Sequence, residues 1–203
     1  MKQLDIVFID GVAGCGKTSQ IILLRNYLKR RNIPTKIFNF ENIKKPTEVY
    51  DILCAVDKYK QENKNSCALC DGSIAKNIIY DISKNMYGTE FFNKHKKNLQ
   101  KYESINKKYN ISNILINLEN IDICKERLNK KQKMQNKTVS ELNSQQIEEL
   151  KLMSKGFKGF NNHSLTYNIT FKNINIEGYE TMLDVHWDVV NIIENSYTIK
   201  KPS

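Results

Sequence analysis

Residues 11–18 constrain the fold of this chain more than any other segment. They read Gly-Val-Ala-Gly-Cys-Gly-Lys-Thr, the G-x-x-x-x-G-K-[ST] pattern of a phosphate-binding loop. An apolar run, Leu4–Ile9, precedes the loop and predicts a buried strand, and the spacing of apolar residues after it predicts a helix. A strand, a glycine-rich turn and a helix N-terminus together make the anion site that this motif requires.

The residue types within the loop have separate chemical tasks. The glycines let the backbone bend so that successive N–H groups converge on phosphate oxygens. Lys17 is expected to reach the β- and γ-phosphates of ATP, and the Thr18 hydroxyl is expected to hold Mg²⁺. The residues predicted to bind the cofactor are Gly11, Gly14, Cys15, Gly16, Lys17, Thr18 and Ser19.

Composition and charge narrow the classes of protein that the chain can represent. It has 203 residues, 40% of them hydrophobic, which suits one domain spanning residues 1–203. No apolar stretch approaches the length of a membrane span, so no membrane partner is expected. The net charge of +10 comes mostly from dispersed lysines. Dispersed lysines predict a solvated basic surface that attracts nucleotides, rather than a specific nucleic-acid site.

The five cysteines are odd in number, and the N-terminal segment is strand-like and contains Asp5 and Asp10, which is not expected of a signal peptide. We therefore expect reduced thiols and a cytoplasmic location. Cys67 and Cys70 have C-x-x-C spacing, but they lie in an apolar run without a second pair. Core packing is the favoured interpretation, and a metal or redox role is the alternative.

Apolar runs alternate with helical patterns along the chain. Strands are predicted at Leu4–Ile9, Thr35–Phe40, Ser66–Cys70, Asn113–Leu118 and Thr166–Phe171. Helices are predicted near 17–31, 47–62, 74–86, 90–109, 121–131, 140–154 and 178–195, and a turn at Met153–Phe160. Continuously apolar strands between helices indicate a parallel sheet covered on both faces. We therefore expect an α/β, doubly wound P-loop NTPase fold with five strands.

Two acidic residues are predicted to follow strands at the edge of the sheet that carries the loop. Asp71 ends the third strand and is expected to act on Mg²⁺ through its water shell, whereas an Asx-turn at Asp71-Gly72 is the alternative. Glu41 follows the second strand and is expected to accept a hydrogen bond or a proton from the substrate. A solvated surface glutamate is its alternative. Both acids, with Lys17, are candidate catalytic residues.

Arg127 begins a basic run that continues through Lys130, Lys131 and Lys133. A basic loop can close over a bound nucleotide and exclude water, and a guanidinium suits the charge of a phosphoryl group in transfer. We predict a lid at about residues 129–144, with Arg127 as its catalytic cation. The alternative is a solvated helix end with lysines favoured by the helix dipole.

Several features together resemble the thymidylate kinase and deoxynucleoside kinase group of P-loop kinases. The acid–glycine pair before the loop, Thr18-x-Gln20, the segment Thr47–Leu53, Asp71 with Tyr80 nine residues later, and Cys124–Leu128 all resemble that family. The resemblance covers nearly the whole chain and implies ATP and Mg²⁺ as cofactors. It also implies that a lid supplies the basic group when the loop has no arginine. The implied substrate-binding residues are Asp10, Phe40, Glu41 and Tyr80.

Two departures from that family bear on the substrate. Gly72 stands in place of the arginine that grips substrate phosphate, and no arginine occurs between Thr47 and Tyr80, where thymidylate kinases read thymine. We predict transfer of the ATP γ-phosphoryl group to a nucleoside monophosphate with a relaxed or non-thymine base preference. The alternatives are a kinase of a nucleoside, another small acceptor or a nucleic-acid end, and a P-loop nucleotide-binding protein with weak turnover. A homodimer is left open.

Overall fold

The architecture comes from a computed structural model, which describes residues 3–41, 43, 45–84, 88–118, 120–134, 142–163, 169–177 and 180–197. Its strands are β1 (Ile6–Gly11), β2 (Thr35–Asn39), β3 (Cys67–Asp71), β4 (Ile111–Leu118) and β5 (Phe171–Ile176). Its helices are α1 (Lys17–Lys29), α2 (Pro46–Glu62), α3 (Ile74–Ser83), α4 (Gly88–Lys108), α5 (Ile121–Met134), α6 (Ser144–His163) and α7 (Met182–Ser196).

The strands form one five-stranded sheet in the order β2-β3-β1-β4-β5, and all neighbouring strands run parallel. Every residue of β1 and β3 is buried, which requires a helical layer on each face. Helix α1 packs against α7, α2 against α4, and α3 against α6. The predicted doubly wound α/β fold is therefore confirmed. Among the described residues, no helix combines the length and the apolar character needed to cross a bilayer.

The strand order places the predicted site at the carboxyl ends of the parallel strands. From β1 the chain passes β3 to reach β2, returns to β3, and then crosses to β4 on the other side of β1. Ile9 and Asn39 are both in register with Asp71. The phosphate loop, the residues after β2 and the end of β3 therefore share the edge where ligands bind in such folds.

Cys67 and Cys70 lie on β3 and are fully buried. Burial raises the pKa of the Cys67 thiol to about 12 and the pKa of Cys70 well above its ordinary value. Both therefore stay protonated near neutral pH and serve as apolar core residues, as the favoured interpretation expected.

The position predicted for the fifth strand was wrong. Strand β5 begins at Phe171, where the predicted strand was to end, and residues 166–168 lie outside the described part of the chain. In β5 the side chains of Phe171, Ile174 and Ile176 are buried, whereas Lys172 and the two asparagines are exposed. Strand β5 mixes buried apolar residues with exposed polar residues of low strand propensity, so the β-branched and aromatic residues before it gave the stronger signal.

The turn predicted at Met153–Phe160 was also wrong, because α6 runs through this segment. Phe157 and Phe160 are three residues apart on one helix face, and both are buried. A Cβ atom at Gly156 would lie 2.4 Å from Cγ2 of Ile79 on α3. Gly156 is thus a point of close helix contact, which explains a glycine inside a helix.

Candidate active site

The phosphate loop connects β1 to α1, and its three glycines have φ values of 145°, 85° and 104°. A Cβ atom on Gly11 would lie 2.4 Å from the carbonyl oxygen of Ile116, and one on Gly14 would lie 2.8 Å from that of Cys124. Glycine is therefore required for both the dihedral angles and the close approach to β4 and α5. Gly14–Ser19 line a cavity of about 630 Å³ at the N-terminus of α1.

Lys17 is buried at the base of this cavity, with 6% of its surface exposed. Its Nζ atom donates to the carbonyl oxygens of Gly11 at 2.9 Å and Val12 at 3.0 Å, and lies 3.2 Å from Oε1 of Glu41. Burial alone would lower the pKa of Lys17, but the acidic groups around it, Cys15, Glu41 and Asp71, raise it above its ordinary value. A permanent positive charge is therefore held where the loop would receive phosphate.

Thr18 and Asp71 come together although they are far apart in the sequence. The Thr18 hydroxyl donates to Oδ2 of Asp71 at 2.6 Å, and Asp71 is buried at the end of β3. The structure thus places both predicted metal residues side by side. A hydroxyl and a carboxylate next to a phosphate site are hard oxygen donors of the kind that Mg²⁺ prefers.

Glu41 forms an ion pair on each side of its carboxylate. Oε1 faces Lys17 at 3.2 Å, and Oε2 accepts from Nζ of Lys76 at 3.0 Å. Burial would raise the pKa of Glu41, but the two lysines outweigh that effect and hold it below its ordinary value. This placement rules out the solvated surface glutamate. It also makes Glu41 a weak proton acceptor as long as both lysines remain paired with it.

Asp10 and Phe40 lie behind the cavity rather than on its surface, so the direct substrate contacts implied for them are not supported by this placement. Oδ1 of Asp10 accepts from the Ser73 N–H at 3.1 Å, and burial raises the pKa of Asp10 to about 6. Phe40 is 2% exposed and packs edge-on against Phe8 at 5.9 Å between ring centroids. Both residues support the elements that carry Gly72 and Glu41.

Arg127 reaches the phosphate loop from α5. Its Nη1 atom donates to the carbonyl oxygen of Cys15 at 3.5 Å, and Arg127 and Lys130 both line the large cavity. Lys130 pairs with Glu126 at 2.8 Å on the exposed face of the helix. Helix α5 continues to Met134, so the first part of the predicted lid is helical. Residues 135–141 and the Lys131 side chain lie outside the described residues.

Tyr80 borders a smaller cavity of about 170 Å³ between α2, α3 and α4. Its hydroxyl accepts from Nζ of Lys84. Asn77, Asp81 and His95 line the same cavity, and Nε2 of the buried His95 lies 2.7 Å from Oδ2 of Asp81. The structure therefore separates Tyr80 from the phosphate loop and places it on a distinct polar cavity.

Comparison with solved structures identifies the architecture. A deoxyadenosine kinase from M. mycoides, solved with bound dCTP, matches with a TM-score of 0.55 at 14% identity, covering 94% of this chain and 99% of that one. A thymidylate kinase from Candida albicans matches with a TM-score of 0.55 at 16% identity, covering 95% and 92%. The chain has the thymidylate and deoxynucleoside kinase fold. A thymidylate kinase from Ehrlichia chaffeensis, with a TM-score of 0.56 at 13% identity and coverage of 94% and 98%, agrees with this kinase fold. No protein-family model matches the sequence, and a search of curated proteins gave no significant match.

Sequence reasoning missed two parts of the site in this kinase fold. Lys76 contacts Glu41 from α3, and Glu180–Met182 line the large cavity beside α7. Gln20 on α1 contacts this segment, because its Nε2 donates to the carbonyl oxygen of Met182 at 2.8 Å. The position of Lys76 in the first turn of a helix that follows a strand end was an available signal.

Proposed function

We propose that this protein transfers the γ-phosphoryl group of ATP to a nucleoside monophosphate. The observation that carries the proposal is the spatial order of two cavities and the charged side chains between them at the carboxyl ends of the strands. The large cavity with Lys17 and the Thr18–Asp71 pair lies on one side of Glu41, and the α3 segment leading to the smaller cavity lies on the other. The large cavity would take ATP, and the smaller one would take the acceptor nucleoside.

The reaction moves one phosphoryl group between two phosphates. The bond from the γ-phosphorus to the β,γ-bridging oxygen breaks, a bond to an acceptor phosphate oxygen forms, and ADP and a nucleoside diphosphate result. Such a transfer needs positioning and charge stabilisation more than covalent chemistry. Lys17 would neutralise charge on the transferring group, and it would exchange its ion pair with Glu41 for one with phosphate.

The Thr18–Asp71 pair fits Mg²⁺, the cofactor expected with ATP. Thr18 would provide a ligand and Asp71 would hold a water ligand, and the ion would supply positive charge that neutralises the phosphates. Among the described residues, no group of three or more His, Cys, Asp or Glu side chains could hold a metal. Phosphate and water would therefore complete the coordination, as is usual for Mg²⁺ in such sites.

Arg127 would supply the second cation. It lies beside the loop backbone, and the loop itself contains no arginine. A guanidinium that approaches the γ-phosphate on closure would act mainly in the transition state. Lys130 lines the same cavity and could add a point charge.

The test is an acceptor screen with radiolabelled ATP and Mg²⁺. Deoxy- and ribonucleoside monophosphates of all common bases, the matching nucleosides, and a 5′-hydroxyl oligonucleotide are offered to the full chain and to Lys17→Ala. We expect labelled nucleoside diphosphate with more than one base, and turnover lower by about 10²–10³-fold in Lys17→Ala. If no monophosphate is phosphorylated, the proposal is wrong, and strict use of thymidylate would contradict the relaxed base preference.

A nucleoside acceptor is the second candidate, because Gly72 follows Asp71 where the kinases that the sequence resembles have a phosphate-binding arginine. The same screen separates the two, since a nucleoside kinase would yield labelled monophosphate.

A further inference from the structure

Lys76 lies next to the candidate active site but has no role in the reaction proposed above. It lies in the first turn of α3, and its side chain is 31% exposed. Its Nζ atom lies 3.0 Å from one oxygen of Glu41, whose other oxygen lies 3.2 Å from Nζ of Lys17. One carboxylate thus separates two ammonium groups, one from the phosphate loop and one from α3.

The backbone conformation at the strand end disfavours a cationic side chain there. Gly72 has φ +89°, and a Cβ atom there would lie 3.3 Å from Cβ of Phe40 and 3.5 Å from Oε1 of Glu41. Any other residue at this position would have a strained backbone, and its Cβ atom would press against Phe40. A positive charge on this side of Glu41 is therefore expected from another position, and Lys76 is four residues further along the chain.

Lys76 also lies between the two cavities. It contacts Glu41, which lines the large cavity, and the next residue on α3, Asn77, lines the small one together with Tyr80. A nucleotide whose nucleoside part enters the small cavity would direct its phosphate along α3 toward Lys76 and Lys17.

We propose that Lys76 binds the phosphate of the acceptor and so makes the site selective for monophosphates over nucleosides. The inference rests on the proposed kinase function. Glu41 holds the position that this phosphate would take, as an anion between the two lysines. An arriving phosphate would take over the ammonium of Lys76 and release Glu41 from that ion pair.

The test compares Lys76→Ala and Lys76→Arg with a matched control, Lys58→Ala. Lys58 is 77% exposed on α2 and carries the same charge, so its loss changes net charge without touching the site. Binding of the four common deoxynucleoside monophosphates is measured by calorimetry without ATP. Steady-state kinetics then give KM for the acceptor and KM for ATP separately, and thermal melting checks folding.

We expect Lys76→Ala to weaken monophosphate binding and raise the acceptor KM by about 10–100-fold, the range for a charge-assisted hydrogen bond. The KM for ATP should change less than about twofold, and Lys76→Arg should recover most of the binding because it retains the charge. A residue with only a structural role would shift both KM values together.

The outcomes distinguish this inference from the proposed function. If the wild type phosphorylates monophosphates and Lys76→Ala behaves like Lys58→Ala, the role of Lys76 is wrong and the kinase proposal stands. If the wild type binds monophosphates but does not phosphorylate them, the kinase proposal is wrong, and the calorimetry still decides the role of Lys76. If no monophosphate binds, both are wrong.

Discussion

Asp10 is a buried acid whose titration should make the stability of the fold depend on pH. Its pKa is raised by burial from 3.8 to about 6 in the folded protein, so the folded state binds the proton more tightly than the unfolded state. This contribution to stability is fully present below pH 4 and is lost as the pH rises through 6. The difference between a pKa of 3.8 and one of about 6 corresponds to roughly 2–3 kcal/mol of stability.

We therefore expect Asp10→Asn to be more stable than the wild type at pH 7.5, by up to about 2–3 kcal/mol. Asparagine keeps an oxygen that can accept from the Ser73 N–H without burying a charge. The advantage should shrink to near zero at pH 4. Urea unfolding of both proteins at pH 4, 5.5 and 7.5 measures it, and parallel pH profiles would contradict the assignment.

At the scale of elements, two glycines of α6 provide an internal control for the contact between α3 and α6. A Cβ atom at Gly156 would clash with Ile79, whereas one at Gly159 would meet nothing within 4 Å. Alanine in a helix gains about 0.5–1 kcal/mol over glycine. Overpacking against a β-branched side chain costs about 1–3 kcal/mol.

We expect Gly159→Ala to stabilise the protein and Gly156→Ala to be at least about 1 kcal/mol less stable than Gly159→Ala. Thermal and urea unfolding of the two variants beside the wild type measure the difference. Equal stabilisation by both would mean that α3 and α6 do not approach as closely as the structure places them.

Helix α5 brings Arg127 to the phosphate loop and continues toward the predicted lid. We expect Arg127→Ala to lower kcat by about 10²-fold or more while changing KM less, because the role that we propose for the guanidinium is mostly in the transition state. Arg127→Lys should be intermediate, since it retains the charge and loses the planar fork. Steady-state kinetics decide the point, with Lys125→Ala on the same helix as the control.

If Arg127→Ala keeps the wild-type kcat and Lys130→Ala loses it, the lysine carries the charge. If neither variant differs from the control, the catalytic role assigned to this helix is wrong.

Local sequence signals were enough to predict the loop and the parallel sheet. The motif of residues 11–18 fixes its own geometry, and the continuous apolar runs of β1 and β3 reflect burial on both faces. The ion pairs of Glu41 could not be predicted, because they join residues from three elements. Their distances depend on how α3 leaves the sheet, which no local pattern encodes. Strand β5 was misplaced because half of its residues are exposed and polar, which weakens the local strand signal.

At the scale of the whole molecule, the sheet collects residues that are distant in sequence at one edge. Thr18, Glu41 and Asp71 meet there because β1, β2 and β3 are neighbours in parallel register. A ligand that contacts all three segments binds only the folded chain, so it should stabilise the fold by mass action.

We expect ATP with Mg²⁺ at about 100 times its dissociation constant to add roughly 2.7 kcal/mol, or about 5–10 °C in Tm. ATP with EDTA should give a smaller shift, and Thr18→Ala should lose most of the difference between the two. Differential scanning fluorimetry measures all four combinations. An equal shift with ATP–Mg²⁺ and with ATP–EDTA in the wild type would mean that the Thr18–Asp71 pair holds no metal.

Cys15 gives the loop a built-in chemical reporter. Its thiol is 2% exposed, and its Sγ would lie only 2.7 Å from a Cβ atom on Gly11. A thiol reagent can therefore reach Cys15 only when the loop opens locally, so the rate of labelling reports how frequently the loop opens. With the more accessible Cys54 changed to serine, the slow labelling of Cys15 would time how often the empty loop opens. Bound nucleotide should lengthen that interval.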